Sequence, residues 1–254
     1  MRCGYGKLHT LNLFLLFIMS ESSSGPWFAV SMGLIGIIVG FGVASQSGDS
    51  GPAKVNDLPP AAADDPAPPP PPPDTSDQVP KVNKADHVRG NTKAKITIFE
   101  YSDFECSFCK RHHPTLAQLL EDYGDDVNWV YRHYPLGFHS NAQKGAESSE
   151  CANELGGNDS FWEFTDMVYE LGADNTKYAD YAEDIGLDKA KFTECLDSGK
   201  YEDRIKEQMA GGVQAGVSGT PGNIVMNNKT GEAKLVSGAQ PISNFKAIID
   251  GMLE

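Results

Sequence analysis

A block of prolines at residues 66–73 divides the chain into two parts. Proline has no amide N–H and a fixed φ, so the block cannot form a helix interior or a central strand. Together with the surrounding Gly, Ala and Asp, it predicts that residues 46–80 form an extended, disordered linker. The folded part is therefore expected at residues 81–254, a length that suits one domain with a sizeable core.

The sequence before the linker predicts a membrane anchor. Residues 27–45 are almost entirely apolar and uncharged, barely the length of a transmembrane helix. Arg2 and Lys7 precede this span and acidic residues dominate after it, so residues 1–26 are predicted to be cytoplasmic. The rest of a single-pass protein of the cell membrane would then be extracytoplasmic. A cleaved signal peptide is the alternative, but no clear small-x-small cleavage site follows the apolar run.

The overall charge restricts the class of partner. The formal net charge is -14 at pH 7. Binding to nucleic acid requires a basic surface, so this composition argues against a nucleic-acid partner.

The chemistry of the folded part is centred on Cys106 and Cys109. A buried strand is predicted at residues 96–101, and apolar residues at helical spacing follow the cysteines, which places the pair where a strand ends and a helix begins. The free N–H groups and the dipole of a helix N-terminus stabilise a thiolate. Thiol-disulfide exchange is therefore predicted, with Cys106 attacking and Cys109 resolving.

Two other roles fit a lone C-x-x-C. It could be half of a zinc site, because His112 and His113 follow at a plausible interval. Helical geometry disfavours this, since His112 lies on the packing face, and we expect neither a metal nor another cofactor. A purely structural disulfide is also disfavoured, because so small a loop removes little chain entropy.

The remaining pattern predicts an α/β domain with one interrupted sheet. A second strand is expected at residues 127–134 and a hairpin at residues 223–226 and 233–236. Between them the periodicity predicts a run of helices, and a last helix follows the hairpin. The predicted helices cover residues 140–155, 161–171, 177–185, 188–196, 201–215 and 242–253.

Three separated motifs resemble those of the DsbA-like branch of the thioredoxin superfamily. They are Phe99-Glu100-Tyr101-Ser102-Asp103-Phe104-Glu105-Cys106-Ser107-Phe108-Cys109-Lys110, Arg132-His133-Tyr134-Pro135-Leu136 and Gly219-Thr220-Pro221. The resemblance covers residues 81–254. It implies a thioredoxin fold interrupted by a helical insertion at about residues 139–215, in an exported protein that exchanges disulfides. The implied partners are unfolded or reduced exported proteins and a membrane redox partner that re-oxidises the cysteine pair.

The resemblance also assigns roles to single residues. Cys106 matches the nucleophile and Cys109 the resolving cysteine. Thr220 and Pro221 match the substrate-binding loop whose proline is cis, although the pair alone would also suit an ordinary turn. Glu100 matches a buried acid that relays a proton to the resolving cysteine; a solvated edge carboxylate is the alternative. The basic residue that accompanies that acid is not clearly placed, because Arg132 is expected to face the other way.

The aromatic residues near the cysteines suggest a surface for clients. Phe104, Phe108 and the surface near Pro221 are candidates for an apolar platform, although such aromatics also serve as core residues. The Ser107-Phe108 pair replaces the Pro-His pair of the strongest oxidases in the family, so a weaker oxidant is an alternative.

Cys151 and Cys195 both lie in the predicted helical insertion. An exported location allows a disulfide between them, and the family pattern of a cysteine at each position points the same way. We predict a structural bridge; a second redox pair is the alternative.

These observations together predict a membrane-anchored dithiol oxidase. A reductase or isomerase of the same fold is one alternative. A thioredoxin-fold binding module without catalysis is the other.

Overall fold

The computed structural model describes residues 74–254. The predicted cytoplasmic segment, transmembrane helix and most of the linker lie outside the described residues. Within residues 74–254, no helix is both long enough and apolar enough to cross a bilayer.

A five-stranded sheet forms the centre of the domain, with strand order β1-β3-β2-β4-β5. The central strand β2 pairs in parallel with β3 and antiparallel with β4, while β1 and β5 are antiparallel edge strands. The strands are β1 (His87–Gly90), β2 (Ile96–Ser102), β3 (Val127–His133), β4 (Gly222–Asn227) and β5 (Ala233–Ser237).

Six helices flank and interrupt this sheet. Four of them lie in sequence between β3 and β4 and form the helical insertion. The helices are α1 (Ser107–Tyr123), α2 (Ala142–Leu171), α3 (Tyr178–Asp184), α4 (Lys189–Asp197), α5 (Glu202–Gln214) and α6 (Ile242–Leu253). The predicted mixed α/β architecture with an inserted helical segment is confirmed.

The side chains of β2 alternate between two apolar layers, as expected for a strand covered on both faces. Ile96 and Ile98 join the larger core, which also contains buried residues of α1, α2 and α6. Phe99 and Tyr101 belong to a smaller core on the other face. Glu100 follows Ile98 by two residues and therefore faces the larger core.

A kink divides the long helix α2 of the insertion. Residues 140–155 and 161–171 were expected as separate helices, and α2 consists of two helical segments that meet at Gly157. Gly157 has φ 81° and ψ -170°, a conformation that favours glycine. The backbone can therefore change direction there without the steric cost that a Cβ would add.

The disulfide between Cys151 and Cys195 joins α2 to α4, with Cα atoms 5.9 Å apart. Both cysteines are buried in the larger core. The bridge therefore ties together two helices of the insertion, away from the strand-to-helix junction that carries Cys106.

The folded region begins earlier than composition predicts. Ser76 and Val79 are buried, and Val79 packs into the smaller core with Phe99. A short 3-10 turn at Ser76–Gln78 lies beside β5. Residues 76–80 thus belong to the domain instead of the linker, because their few apolar atoms cover one face of the sheet.

The short edge strand β1 was not predicted. A side chain, instead of a neighbouring strand, forms hydrogen bonds with the backbone on its outer side. The Asn158 side chain accepts a hydrogen bond from Val88 N (3.1 Å) and donates one to Val88 O (2.9 Å). A side-chain amide has the same donor and acceptor groups as a peptide unit. Asn158 therefore occupies the position that a neighbouring strand would take.

Candidate active site

Cys106 lies at the junction between β2 and α1. It is the N-cap of α1, with extended backbone angles, and its N–H donates to Asp103 O at 3.1 Å. Cys109 lies in the first turn of the helix and is fully buried, whereas Cys106 retains 6% exposure. Both are free thiols in this structure. Only the Cys106 sulfur is open to a reagent from solution.

The surroundings of the two sulfur atoms give them opposite acidities. The hydrogen bond from the Cys109 thiol lowers the pKa of Cys106 to about 5, together with bonds from Thr220 and from the backbone N–H groups of Cys109 and Phe108. Burial raises the pKa of Cys109, and the neighbouring Cys106 and Glu100 raise it further. At neutral pH, Cys106 is therefore a thiolate and Cys109 a thiol.

A cis peptide bond joins Thr220 and Pro221 opposite the cysteine pair. Cys106 Sγ lies 3.5 Å from Thr220 O, so the loop before β4 is in direct contact with the candidate nucleophile. A small cavity of about 210 Å³ is lined by this loop and by Ser237 and Gly238.

The turn before Cys106 is fixed to the loop that follows β3. Asp103 Oδ2 accepts hydrogen bonds from Leu136 N (2.7 Å) and from His139 Nδ1 (2.9 Å). Between these two residues, Phe138 is 79% exposed. The sequence predicts a turn through Ser102, Asp103 and Phe104, but it does not show that Asp103 joins this turn to the loop after β3.

The predicted aromatic platform is only partly present. Phe108, between the two cysteines, is 53% exposed, and the Arg111 guanidinium lies 4.4 Å from its ring centre. Phe104 is instead buried and stacks on Tyr131 at 5.4 Å. Of the two roles expected for Phe104, the structure shows the core residue, because its ring fills the core beneath the active-site turn.

Glu100 is fully buried beneath the cysteine pair. Its carboxylate accepts hydrogen bonds from Ser102 Oγ at 2.7 Å and from Trp129 Nε1 at 3.0 Å. Burial raises the pKa of Glu100 to about 7, even though both hydrogen bonds act in the opposite direction. The structure therefore places this carboxyl group in the core instead of at a solvated edge.

Arg132 does not accompany Glu100. Its guanidinium donates to Asp86 at 3.0 Å and to Tyr101 at 3.0 Å, both on the smaller-core side of the sheet. Consecutive residues of a strand point to opposite faces, so Arg132 and Glu100 are separated by the sheet. The expected orientation of Arg132 is confirmed.

The two histidines that follow the cysteines have separate partners. His112 is buried and bonds to Asn223 Oδ1 at 3.0 Å, while His113 bonds to Asp166 at 2.7 Å. Burial lowers the pKa of His112 to about 4, so it is neutral at physiological pH. Across residues 74–254, no group of three His, Cys, Asp or Glu side chains is arranged to hold a metal ion.

The domain has a C-x-x-C motif at the start of the helix that follows a parallel strand, and a cis-proline loop contacts Cys106 of that motif. This combination defines a thioredoxin-like dithiol protein. Residues 82–251 match the family described as Thioredoxin. The chain therefore belongs to this family, and its similarity to solved DsbA structures places it in the DsbA-like branch. The resemblance noted in the sequence is confirmed.

Several solved structures have a similar fold. DsbA2 of Pseudomonas aeruginosa is 30% identical with a TM-score of 0.58, over 68% of this chain and 97% of that one. Alpha-DsbA1 of Wolbachia pipientis is 21% identical, with a TM-score of 0.60 over 70% and 95% of the two chains. Oxidised BdbD of Bacillus subtilis is 20% identical, with a TM-score of 0.59 over 67% and 94%. The last two similarities show the fold alone.

The curated relatives carry a different name. Na(+)/H(+) antiporter NhaA 3 of Salinispora tropica is 40% identical over 147 residues, which are 56% of this chain and 22% of the antiporter. NhaA of Herminiimonas arsenicoxydans is 33% identical over 138 residues, 54% of this chain and 21% of that protein. The chain thus spans about a fifth of the length of these relatives.

Proposed function

We propose that this protein is a dithiol oxidase that introduces disulfides into reduced extracytoplasmic proteins through Cys106 and Cys109. The observation that carries the proposal is the contrast between the two sulfur atoms, with the pKa of Cys106 lowered to about 5 and that of Cys109 raised. A stabilised Cys106 thiolate favours the reduced form of the pair. A pair that is stable when reduced takes electrons readily from other thiols.

The exchange proceeds in two displacements. A client thiolate attacks Cys106 Sγ of the oxidised protein, the Cys106–Cys109 bond breaks, and Cys109 leaves as a thiolate and takes up a proton. A second client thiolate then attacks the client sulfur of the mixed disulfide, and Cys106 leaves as a thiolate. The client gains one disulfide and the protein gains two electrons. A redox partner in the membrane would re-oxidise the pair.

The surroundings of Cys106 suit an extended client chain. The Thr220 backbone, next to the cis bond, is in contact with Cys106 and can pair with the backbone of a client. Phe108 and Phe138 are exposed and provide apolar contact for unfolded chains. The Asp103 bonds hold the Phe138 loop against the active-site turn.

The sequence supports an extracytoplasmic location for this activity. The apolar segment at residues 27–45 and the positive residues before it support a single-pass anchor with the thioredoxin domain outside the cytoplasm. The proline block at residues 66–73 would then hold the domain away from the bilayer as a semi-rigid spacer. An oxidising compartment is also where the Cys151–Cys195 disulfide would persist.

The proposal is tested by the reduction potential of the Cys106/Cys109 pair. The full-length chain is equilibrated against glutathione buffers, and the reduced fraction is measured by alkylation and mass spectrometry. We expect a potential above that of the glutathione couple, and Cys106→Ser should abolish exchange. A potential well below the glutathione couple would refute the oxidase assignment.

A reductase or isomerase remains the second candidate because of one specific observation. Between the cysteines, Ser107 and Phe108 provide no cation beside the Cys106 thiolate. A weaker stabilisation of that thiolate would lower the reduction potential. The same titration separates the two functions, since a reductant gives the lower value. A binding module without catalysis would instead retain its function in the Cys106→Ser variant.

A further inference from the structure

We propose that His139 is a positioning residue for protein clients, because it fixes the loop that presents Phe138 beside the active-site turn. This inference rests on the proposed function, since it concerns how a client reaches Cys106, and it assigns no chemical step to His139. The consequence is a difference between substrates. Exchange with an unfolded protein should depend on this loop more strongly than exchange with a small thiol.

Phe138 lies at the tip of a tight turn. His139 N donates to Leu136 O at 2.9 Å, so Gly137 and Phe138 are the two central residues of a four-residue turn. The Phe138 side chain is 79% exposed, more than any other large apolar side chain of residues 74–254. A ring this exposed contributes little to folding, and its apolar surface is available to a second molecule.

His139 connects this phenylalanine to the turn that carries Cys106. Its Nδ1 donates to Asp103 Oδ2 at 2.9 Å, and its ring meets the Phe138 ring edge-on, with ring centres 4.5 Å apart. The Asp103 side chain is fully buried, and its backbone carbonyl accepts the bond from Cys106 N at 3.1 Å. Two residues, His139 and Asp103, therefore link Phe138 to the nucleophile.

The rest of the Phe138 loop, residues 134–141, is fastened to the same turn by its backbone. The bonds are Tyr134 N to Ser102 O (2.8 Å), Leu136 N to Asp103 Oδ2 (2.7 Å) and Asn141 N to Glu105 Oε2 (2.6 Å). These bonds hold the two ends of the loop, whereas His139 is the side chain next to its tip. A loop that is already ordered loses little conformational freedom when a client binds.

The second exposed aromatic side chain among residues 74–254 also lies beside the nucleophile. Phe108, between the two cysteines, is 53% exposed, while the other exposed large apolar residues are aliphatic. A client whose cysteine reaches Cys106 therefore finds an aromatic ring on α1 and another on the Phe138 loop. Unfolded proteins carry apolar residues near their cysteines, but glutathione has no apolar side chain to place there.

The test compares full-length variants in the reduction of the Cys106–Cys109 disulfide by unfolded, reduced ribonuclease A and by glutathione. The measured quantity is the ratio of the two second-order rate constants, protein over glutathione. Phe138→Ala should lower this ratio about 10-fold, the effect of losing the burial of roughly half a phenylalanine side chain. His139→Leu should lower it about 5-fold, because the freed loop must be ordered when the client binds.

The two effects should not add, because His139 acts through Phe138. The variant with both substitutions should have the ratio of Phe138→Ala alone. His139→Asn should retain most of the wild-type ratio, since asparagine places an amide N–H where histidine has Nδ1. His139 is a sharper probe than Asp103, whose carboxylate also accepts a bond from Glu105 N within the turn.

Val213→Ala is the matched control, because Val213 is an exposed apolar residue on α5 and should not affect the ratio. An unchanged ratio in Phe138→Ala would overturn the proposal, as would an equal loss of both rates in His139→Leu or additive effects in the double variant. A wild-type protein that does not oxidise ribonuclease A would refute the proposed function itself. Oxidation at a rate insensitive to both substitutions would refute this inference alone.

Discussion

Two fully buried glutamates in this domain have opposite acidities. The pKa of Glu100, beneath the active site, is raised to about 7, whereas that of Glu150, in the insertion, is lowered to about 2. Burial raises both pKa values, so burial does not explain the difference. The neighbours do. Glu100 accepts hydrogen bonds only from neutral donors, Ser102 and Trp129.

Glu150 instead lies beside one guanidinium group and two imidazole rings. His87 Nε2 and His133 Nε2 lie 3.0 Å and 3.3 Å from its carboxylate oxygens, and Arg204 Nε lies at 3.1 Å. These residues come from β1, β3 and α5, while Glu150 belongs to α2. The cluster therefore joins the insertion to the sheet through an ionised carboxylate.

The comparison shows how one residue type serves two purposes. A carboxylate held by a guanidinium and two imidazole rings stays ionised and holds elements together. A carboxyl group buried among neutral donors changes its charge near neutral pH and can exchange protons.

Replacing Glu150 by Gln should lower the free energy of unfolding by about 3–5 kcal/mol, because the Arg204 guanidinium loses its counter-charge at a buried carboxylate. Urea unfolding at pH 7 measures the change. Glu163→Gln, an exposed position on the same helix, should change stability by less than about 0.5 kcal/mol. Equal stabilities for the two variants would contradict a structural role for Glu150.

Removing the disulfide with Cys151→Ala and Cys195→Ala together should cost about 4 kcal/mol, the chain-entropy value for a separation of 44 residues. Cys151 directly follows Glu150, so the bridge and the cluster fix the same part of α2. Urea unfolding measures the loss, and the glutathione titration provides the control. A changed reduction potential for Cys106/Cys109 would indicate that the bridge also acts on the redox pair.

The charge change of Glu100 should appear in the pH dependence of stability. Its folded pKa is raised from 4.5 to about 7, so the folded state binds more protons between these values and stability falls as pH rises. Glu100 contributes about 3 kcal/mol to the free energy of unfolding. This contribution is present in full below pH 4.5 and is lost as the pH rises through 7. Glu100→Gln should abolish this fall.

The pKa of Glu150 predicts the opposite dependence of stability on pH, in a lower pH range. Its folded pKa is lowered from 4.5 to about 2, so its stabilising effect is present above pH 4.5 and lost as pH falls toward 2. Comparing urea midpoints of the wild type and Glu100→Gln at pH 4, 5.5, 7 and 8 isolates the Glu100 contribution. A constant difference between the two proteins at all four values would show that Glu100 is not protonated in this range.

Tyr169→Phe should have the smallest effect, about 1 kcal/mol of unfolding free energy, because one buried hydroxyl is lost with no change in shape. Urea unfolding at pH 7 measures the change. A loss as large as that of Glu150→Gln would contradict a minor role for this hydroxyl.

The sequence predicted the elements whose patterns are local. The bounds expected for α6 at residues 242–253 coincide with Ile242–Leu253. The strand expected at residues 96–101 ends one residue later, at Ser102. Strong apolar periodicity identifies such elements without tertiary information. The short strand His87–Gly90 has no such pattern, and it forms because it pairs with β3.

Only part of the active site was predictable from the sequence. Cys106, Cys109 and Pro221 are visible as motifs, but the environment of Glu100 is not, since a lone carboxylate in a strand is usually exposed. Its burial depends on Trp129 and on the fold around it. The contact between Ser102 and Tyr169 joins residues 67 positions apart. Only the packing of α2 on the sheet brings these groups together.

The pairing of Asn158 with Val88 has a consequence for a protein whose proposed clients are unfolded chains. An open strand edge would recruit extended segments by backbone hydrogen bonding, and so invite co-aggregation with the very polypeptides being processed. The Asn158 amide occupies both hydrogen-bonding groups of Val88 at one edge, and the turn at Ser76–Gln78 lies beside the other. Under the proposed function, extended polypeptides would instead bind at the cis-proline loop, within reach of the reactive sulfur, and would be released once the exchange is complete.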